Sequence, residues 1–257
     1  MIKLFKNFPE IVALISQRED GDLSVLYDYE RRKSQNPNRR VFVQKNGIPE
    51  NNVVSALLNH GNEIAIVDCH SPLFIPRTDA LLAKEKGIYL SVTSRDCYPV
   101  LAYDPREKII AIIHAGWRGI ARNIVPSVLD AMMKLGSSSH NIHIAIGPGI
   151  CQAHFEFDEK DMKQHFGKYD DGKHVIRAGD FKVHIDLEGI ILDQLLESKV
   201  KEDNIEVIGE CTFCSYKKYF SARRDKSPES MIAIIGMREN FRKGEVLAGK
   251  FCQPAYA

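Results

Sequence analysis

Two histidines and one cysteine stand at the ends of apolar, β-branched runs, where side chains often carry chemistry. His70 follows the run at residues 63–67, Cys97 follows the run at 88–93, and His114 ends the run at 109–114. Imidazole and thiolate are preferred zinc ligands, and three protein ligands leave a fourth tetrahedral position open, as in catalytic sites. If the three runs end at one sheet edge, the sequence predicts a catalytic metal site made by His70, Cys97 and His114.

The segment after His114 favours a bound anion. Ala115-Gly116-Trp117-Arg118-Gly119 follows a strand pattern and precedes a helical pattern. Free backbone N–H groups at a helix start attract anions, and Arg118 could add a bidentate contact. The alternative is that His114 is a satisfied core histidine and that the glycines only shape the turn. Trp117 either stacks on a base or anchors the loop by packing.

Other cysteines and histidines give weaker signals. Cys69 could compete with His70 as a ligand, but neighbours on an extended chain point in opposite directions, so one of them faces the site. Cys211-x-x-Cys214 has no second cysteine pair beside it, which favours buried thiols over a zinc or redox motif. His140-x-x-His143 enters a strand from a Ser-rich loop, so we interpret it as surface.

Strand and helix patterns alternate along the chain. Most of the apolar runs are continuous, as in strands covered on both faces. They lie at 63–67, 88–93, 100–103, 109–114, 142–146, 205–208 and 231–235. Helical spacing marks residues 120–135, where Pro126 should kink the helix or begin a new first turn. Further helices are predicted from an Asp186 cap to about Ser198 and over 158–166, whereas 29–50 resembles a loop around a short strand at 41–43. The pattern predicts an α/β fold (an α+β sandwich) with mixed β-sheets and outer helices, as a single domain over 1–257.

The amino-acid composition limits which binding partners and which cellular compartment are expected. Of the 257 residues, 44% are hydrophobic, and 35 basic residues nearly balance 34 acidic ones to leave a charge of +1. This balance gives no electrostatic reason to expect nucleic acid or an anionic membrane as partner. The sequence shows neither a secretory signal nor the roughly 20-residue apolar run of a membrane span. Six cysteines are too few for a secreted disulfide scaffold, which favours a reducing cytoplasm.

Several motifs, in order along nearly the whole chain, resemble the YfiH/YlmD family. This is the laccase-domain family, formerly described as polyphenol oxidases. The matching motifs are Asp68-Cys69-His70, Thr78-Asp79-Ala80-Leu81, Asp96-Cys97-Tyr98-Pro99-Val100, His114-Ala115-Gly116-Trp117-Arg118-Gly119, Ile146-Gly147-Pro148, Phe155-Glu156, Asp186-Leu187, Cys211-Thr212 and Ser221-Ala222-Arg223-Arg224-Asp225.

The resemblance implies a zinc-dependent purine nucleoside phosphorylase. Members phosphorolyse adenosine, inosine and methylthioadenosine to the free base and (methylthio)ribose 1-phosphate, and they can deaminate adenosine. The family's metal residues fall on His70, Cys97 and His114, although Asp68-Cys69 replaces the family's Gln-Val before the first histidine. The implied fold is a single α/β sandwich unrelated to the cupredoxin oxidases.

Phosphate needs cationic side chains, and the matching motifs supply three arginines. A fourth, Arg18, lies in Gln17-Arg18-Glu19-Asp20-Gly21, which resembles the family's N-terminal Thr-Arg-x-Gly-Gly stretch but keeps only the arginine and one glycine. Candidates for the cradle, whose guanidinium forks match phosphate geometry, are Arg18, Arg118, Arg223 and Arg224. Arg223 and Arg224 could instead form a solvated turn paired with Asp225. Asp68, Asp79 and Asp96 lie near the predicted ligands, either as the general acid or base or as groups that orient ligands.

Two other functions fit parts of the sequence. One is a copper-dependent polyphenol oxidase, since two histidines and a cysteine make half of a mononuclear copper site, although no histidine-rich trinuclear cluster is visible. The other is a non-catalytic protein that keeps a structural zinc ion.

Overall fold

The computed structural model describes residues 1–25, 27–28, 33–34 and 36–239. Strands in chain order are β1 (Ile2–Lys3), β2 (Ile11–Ile15), β3 (Tyr27–Asp28), β4 (Lys33–Ser34), β5 (Val53–Leu57), β6 (Ile64–Ile66), β7 (Phe74–Pro76), β8 (Ala80–Ala83), β9 (Tyr89–Ser94), β10 (Tyr98–Asp104), β11 (Ile109–Ala115), β12 (His143–Ile146), β13 (Glu156–Asp158), β14 (Val175–Arg177), β15 (Lys182–Ile185), β16 (Ile205–Val207) and β17 (Met231–Met237). Helices are α1 (Pro37–Lys45), α2 (Trp117–Ala121), α3 (Ile124–Lys134), α4 (Glu159–Phe166), α5 (Leu187–Glu197) and α6 (Ala222–Asp225). In the described part of the chain, every helix falls short of the length and hydrophobicity that a membrane span requires.

Two mixed six-stranded sheets form the body of the fold. Their strand orders are β1-β2-β17-β9-β5-β7 and β16-β12-β10-β11-β8-β6. Side chains from both sheets, such as Leu90 and Ala233 facing Leu101 and Ile112, share one buried cluster. The α/β sandwich with mixed sheets that was predicted from the sequence is therefore confirmed.

Helices cover the outer faces of both sheets. The outer face of the second sheet packs on α2 to α5 through residues such as Ile113, Val128 and Ile190. The outer face of the first sheet packs on α1 through Phe42 and Val43. Because both faces of each sheet are covered, the strand sequences are continuous apolar runs and do not alternate between apolar and polar residues.

The prediction of a strand at 41–43 is wrong. Those residues lie inside α1, which begins with Pro37 at its first position and is capped by Asn36, whose side chain accepts a hydrogen bond from Asn38 N. Cap and proline together mark a helix start, and they outweigh the β-branched Val41 and Val43. Residues 29–32 and 35 of the predicted loop lie outside the described residues.

Two helix predictions are confirmed in detail. Asn123 has a left-handed backbone that separates α2 from α3, and Pro126 lies in the first turn of α3. The Asp186 side chain caps α5 by accepting a hydrogen bond from Gly189 N at 2.9 Å.

Candidate metal centre

A cleft of about 600 Å³ opens where the loops after β9 and β11 approach the β5–β6 loop. Three of its lining side chains, His60, Cys97 and His114, bring one ligand atom each to within 4.8 Å of the others. Zinc lies about 2.0–2.3 Å from nitrogen and sulfur ligands, so donor atoms at this spacing can share one ion.

His70 is not part of this group, and the prediction that it joins Cys97 and His114 is corrected by the structure. Strand β6 runs parallel to β8, and β8 runs antiparallel to β11. The beginning of β6 is therefore level with the end of β11, on the other side of β8, so the residue that reaches His114 precedes β6. His60 precedes β6, whereas His70 follows it and is exposed in a turn where its backbone donates to Asp68 Oδ1.

His114 is held from behind by a carboxylate. It lies at the end of β11 with only 2% of its surface exposed, and its Nδ1 is 3.1 Å from Oδ1 of the fully buried Asp79. The backbone N–H groups of His60 and Gly61 each donate to the same carboxylate at 2.8 Å. With Nδ1 of His114 occupied by Asp79, the Nε2 atom is left to act as a ligand. The His60 ring meets the His114 ring edge-on, 4.8 Å between centroids.

Cys97 is positioned by its neighbour Asp96. Asp96 adopts a left-handed backbone with φ 78°, and its carboxylate accepts hydrogen bonds from Thr212 Oγ1 at 2.6 Å and from Arg223 N at 2.7 Å. Burial disfavours the Cys97 thiolate, but the charge of His114 and hydrogen bonds from both histidines outweigh burial and lower the pKa of Cys97 to about 6. A deprotonated thiol is the form that binds a metal.

Gly116 lies next to all three residues of the group. A Cβ added at this position would lie 3.2 Å from Cys97 Sγ, 3.3 Å from His114 Cε1 and 3.7 Å from a ring carbon of His60. Any side chain at position 116 would therefore contact all three residues of the group. The donor set of two imidazoles and one thiolate, open toward the cleft, fits a zinc ion with one free coordination position.

The cleft combines apolar walls with cationic and polar groups. Leu58, Ile150 and Phe155 form apolar parts of its lining, together with the half-buried Trp117. Cationic groups in the lining are Arg95, Arg223 and Lys226. The buried Ser94 Oγ also lies there and has no hydrogen-bond partner among the described residues. A ligand with a flat apolar part and an anionic part would match this lining.

Of the four arginines predicted to form a phosphate cradle, the structure brings only Arg223 to the cleft. Arg18 forms an ion pair with Asp225, and Arg224 binds the same carboxylate through Nε at 2.7 Å. Arg118 is exposed and lies over the Trp117 ring at 4.2 Å. Arg18 and Arg224 therefore hold the α6 turn in place. Arg95 and Lys226, which the matching motifs did not single out, line the cleft in their stead.

The remaining candidates have clear positions. Asp68 caps the His70 turn by accepting from Ser71 Oγ at 2.9 Å. Trp117 packs edge-on against Phe157 at 4.9 Å, which fits its interpretation as an anchor. His140 is exposed and His143 packs on Phe8.

The cysteine pair at 211 and 214 departs from its prediction. Cys214 is exposed and Cys211 is half-buried, so the interpretation of both as buried thiols is wrong. The structure places them beside Cys151 and His154, in a group whose ligand atoms lie within 4.8 Å of one another.

Comparison with known proteins finds a family match and relatives over most of the chain. Residues 26–238 match the family described as multi-copper polyphenol oxidoreductase laccase. A purine nucleoside phosphorylase of Deinococcus radiodurans is 32% identical over 75% of this chain and 74% of its own length. Adenosine deaminase RL5, from an unknown prokaryotic organism, is 30% identical over 72% of this chain and 75% of its own length.

The fold has a close counterpart among solved structures. YlmD from Geobacillus stearothermophilus superimposes with a TM-score of 0.82 at 24% identity, over 91% of this chain and 94% of that one. At this sequence identity the structural similarity is evidence for the fold alone. Together with the family match over 26–238, it shows that the chain belongs to the YfiH/YlmD family of laccase-domain proteins.

Proposed function

We propose that this protein is a metal-dependent purine nucleoside phosphorylase that also deaminates adenosine. The observation that carries the proposal is the group of His60, Cys97 and His114 in the lining of a cleft that also presents cations. The substrates would be adenosine, inosine and methylthioadenosine, together with inorganic phosphate. The products of phosphorolysis would be the free base and (methylthio)ribose 1-phosphate.

The relatives support the type of reaction. The phosphorylase of Deinococcus radiodurans and the deaminase RL5 each match about three quarters of the chain. Both names refer to reactions on purine nucleosides, one at the glycosidic bond and one at the exocyclic amine. A single cleft that holds a nucleoside near an open metal position can serve both reactions.

Phosphorolysis requires that the cleft bind phosphate next to the ribose. A phosphate oxygen forms a bond to C1′ of the ribose, the bond from C1′ to N9 breaks, and its electron pair leaves with the purine. Phosphate must therefore be held beside the ribose in spite of its negative charge. Three cationic side chains line the cleft, those of Arg95, Arg223 and Lys226. Their guanidinium and ammonium groups can bind the oxygens of phosphate.

The chain's own residues also provide for the nucleoside. Phe155 and Ile150 offer apolar surface to a purine ring. Ser94 Oγ, which has no hydrogen-bond partner in the described part of the chain, can bind a polar atom of the ligand. His60, Cys97 and His114 would hold a zinc ion. Bound there, zinc would polarise a substrate atom in phosphorolysis or lower the pKa of a water to about 7 for replacement of the C6 amine in deamination.

A nucleoside assay on protein of defined metal content tests the proposal. Zinc-loaded and metal-free protein are incubated with adenosine, inosine or methylthioadenosine, with and without phosphate, and the products are separated by chromatography. Release of base only in the presence of phosphate, and formation of inosine from adenosine, are the expected results. Nucleosides left intact, with oxidation of phenols that follows added copper, would overturn the proposal in favour of an oxidase. Inert nucleosides and inert phenols with zinc retained would overturn it in favour of a non-catalytic protein.

A matched pair of variants connects the activity to the cleft. Cys97→Ser removes the thiolate ligand, whereas Cys69→Ser changes a cysteine whose backbone donates to Glu85, at a distance from the metal group. We expect the first variant to lose nucleoside turnover and the second to keep it. Equal turnover in both variants would remove the metal group from the mechanism.

A further inference from the structure

A second group of metal-type side chains lies outside the cleft. It contains three thiols and one imidazole, and it is made by Cys151, His154, Cys211 and Cys214. Their ligand atoms all lie within 4.8 Å of one another. Four ligands of the Cys₃His type, without an open position, are typical of structural zinc sites. We propose that Cys151, His154, Cys211 and Cys214 bind a second, structural zinc ion.

The spacing of the four residues follows the pattern of such sites. Cys151 and His154 are separated by two residues, and so are Cys211 and Cys214. Structural zinc sites are usually assembled from two close pairs of this kind. The sequence shows only one Cys-x-x-Cys motif, because the second pair has a histidine in place of its second cysteine.

Local backbone structure presents each pair to the ion. The first pair spans a single helical turn over Gln152–His154, in which His154 N donates to Cys151 O at 3.0 Å. The second pair lies in a turn closed by Ser215 N donating to Cys211 O at 2.9 Å. Both turns direct side chains three residues apart toward the same point.

Hydrogen bonds hold the two turns next to each other, so that side chains from both can bind one ion. Thr212 N donates to Gly149 O at 2.9 Å, and Cys151 N donates to Cys211 Sγ at 3.3 Å. Cys214 N lies 3.5 Å from the same sulfur. Backbone N–H groups that point at sulfur stabilise the thiolate form, the form in which cysteine binds zinc.

The imidazole of His154 lies close to two of the three thiols. Its Nδ1 lies 3.3 Å from Cys151 Sγ and 3.4 Å from Cys214 Sγ. The ring of His154 stacks on Phe213, with centroids 4.1 Å apart and planes at 19°. An aromatic residue inside the Cys-x-x-Cys turn thus fixes the orientation of a ligand from the other turn, so little ordering remains for metal binding to impose.

The position of the group explains what the ion would do. Thr212, inside one turn, donates to the Asp96 carboxylate beside Cys97. Ile150 N, just before the other turn, donates to Asp96 O. Arg223 in the cleft reaches His154 O at 3.3 Å. By tying the two turns together, the ion would fix the wall of the cleft and, through Asp96, the loop that carries Cys97.

Metal content separates this site from the one in the cleft. Wild-type protein and variants are purified under reducing conditions with zinc, and zinc per chain is measured by mass spectrometry. We expect two zinc ions in the wild type and in the Cys69→Ser control, and one each in Cys214→Ser and in His60→Ala. Cys214 is exposed, so its substitution should leave the fold intact, as checked by circular dichroism. The same zinc content in Cys214→Ser as in the wild type would overturn the proposal.

A spectroscopic measurement identifies the ligands. The variant His60→Ala, reloaded with cobalt(II), should show tetrahedral bands and charge-transfer absorption from three thiolates, and Cys214→Ser should show the weaker absorption of the single thiolate in the cleft. Thiol titration of denatured protein should find every cysteine reduced. A disulfide among Cys151, Cys211 and Cys214 in protein purified under reducing conditions, or cobalt absorption in His60→Ala no stronger than that of one thiolate, would contradict the site.

Discussion

The carboxylate of Asp79 connects two of the three side chains in the cleft. Its Oδ1 lies 3.1 Å from His114 Nδ1, and it accepts hydrogen bonds from the backbone of His60 and Gly61. Burial opposes ionisation of Asp79, but the hydrogen bonds from His114 and Gly61 outweigh burial and lower its pKa. One charged group therefore orients the ring of one ligand and the loop of another.

Removing this charge should weaken metal binding without removing a ligand. For Asp79→Asn we expect the zinc affinity of the cleft to fall by about 10- to 100-fold, the usual effect of losing a group that orients a metal-bound histidine. A competition titration against a chelator of known affinity measures the change. Asp68→Asn is the matched control, because Asp68 also accepts backbone and side-chain hydrogen bonds but lies in the His70 turn. Equal affinities in the two variants would contradict the role given to Asp79.

Substitution of His60 and of His70 should have very different effects on zinc binding and turnover. His60→Ala removes a ligand atom from the cleft, whereas His70→Ala changes an exposed side chain in a separate turn. We expect the first variant to lose zinc from the cleft and nucleoside turnover together, and the second to keep both. Metal analysis combined with the chromatographic assay checks this. A loss of turnover in His70→Ala alone would instead restore the family assignment made from the motif around Asp68.

A single methyl group at position 116 should disturb the metal group. Gly116 has φ −78° and ψ 161°, which alanine adopts without strain, so steric contact with Cys97 Sγ at 3.2 Å is the expected cost of Gly116→Ala. We expect zinc affinity to fall by about tenfold, comparable to the loss of an orienting group, with the far-ultraviolet circular dichroism unchanged. The control is Gly167→Ala, where an added Cβ meets nothing within 4 Å. Unchanged affinity in Gly116→Ala would show that the loop relaxes freely.

Phosphate binding should depend on the cations of the cleft. A hydrogen bond to a charged group contributes about 1.5–3 kcal/mol, and about 1.4 kcal/mol corresponds to a tenfold change in affinity. We therefore expect Arg95→Ala to raise the KM for phosphate about tenfold or more while the KM for the nucleoside changes little. Arg40→Ala, at an exposed position on α1 paired with Glu50, is the control. A rise in the nucleoside KM alone would place Arg95 against the nucleoside.

Much of the fold was predictable because both sheets are covered on their two faces. Continuous β-branched runs mark β9, β11 and β17, and the side-chain cap of Asp186 marks α5. The same reasoning failed at 41–43, where a local cap and a proline decide the structure against β-branched side chains. Cys97 and His114 could be identified since each stands at the end of a strongly apolar strand.

The third side chain of the metal group depended on strand direction, which hydrophobic patterns do not contain. A ligand that follows β6 would require β6 and β11 to run the same way, but β6 lies parallel to β8 and β8 antiparallel to β11. His60 also stands in a short His-Gly turn before the strand, and this was the one signal present in the sequence. The second metal group was hidden for a different reason, since His154 replaces the cysteine that would have completed a paired motif.

The carboxylate of Asp225 should make stability depend on acid pH. The hydrogen bond from Arg224 is the main cause, with Arg18 nearby, and together they lower the pKa of Asp225 from its ordinary value of 3.8 to about 2. Because the folded-state pKa is lower than the unfolded one, the stabilisation is present in full above about pH 4 and is lost as the pH falls toward 2. With 19% of the side chain exposed, we expect on the order of 1–2 kcal/mol. Urea unfolding of the wild type and Asp225→Asn should therefore differ at pH 6 and converge near pH 2, whereas Asp130→Asn, on the exposed side of α3, should match the wild type throughout. A gap between wild type and Asp225→Asn that stays constant from pH 6 to pH 2 would mean that packing, rather than the charge shared with Arg18 and Arg224, gives Asp225 its effect.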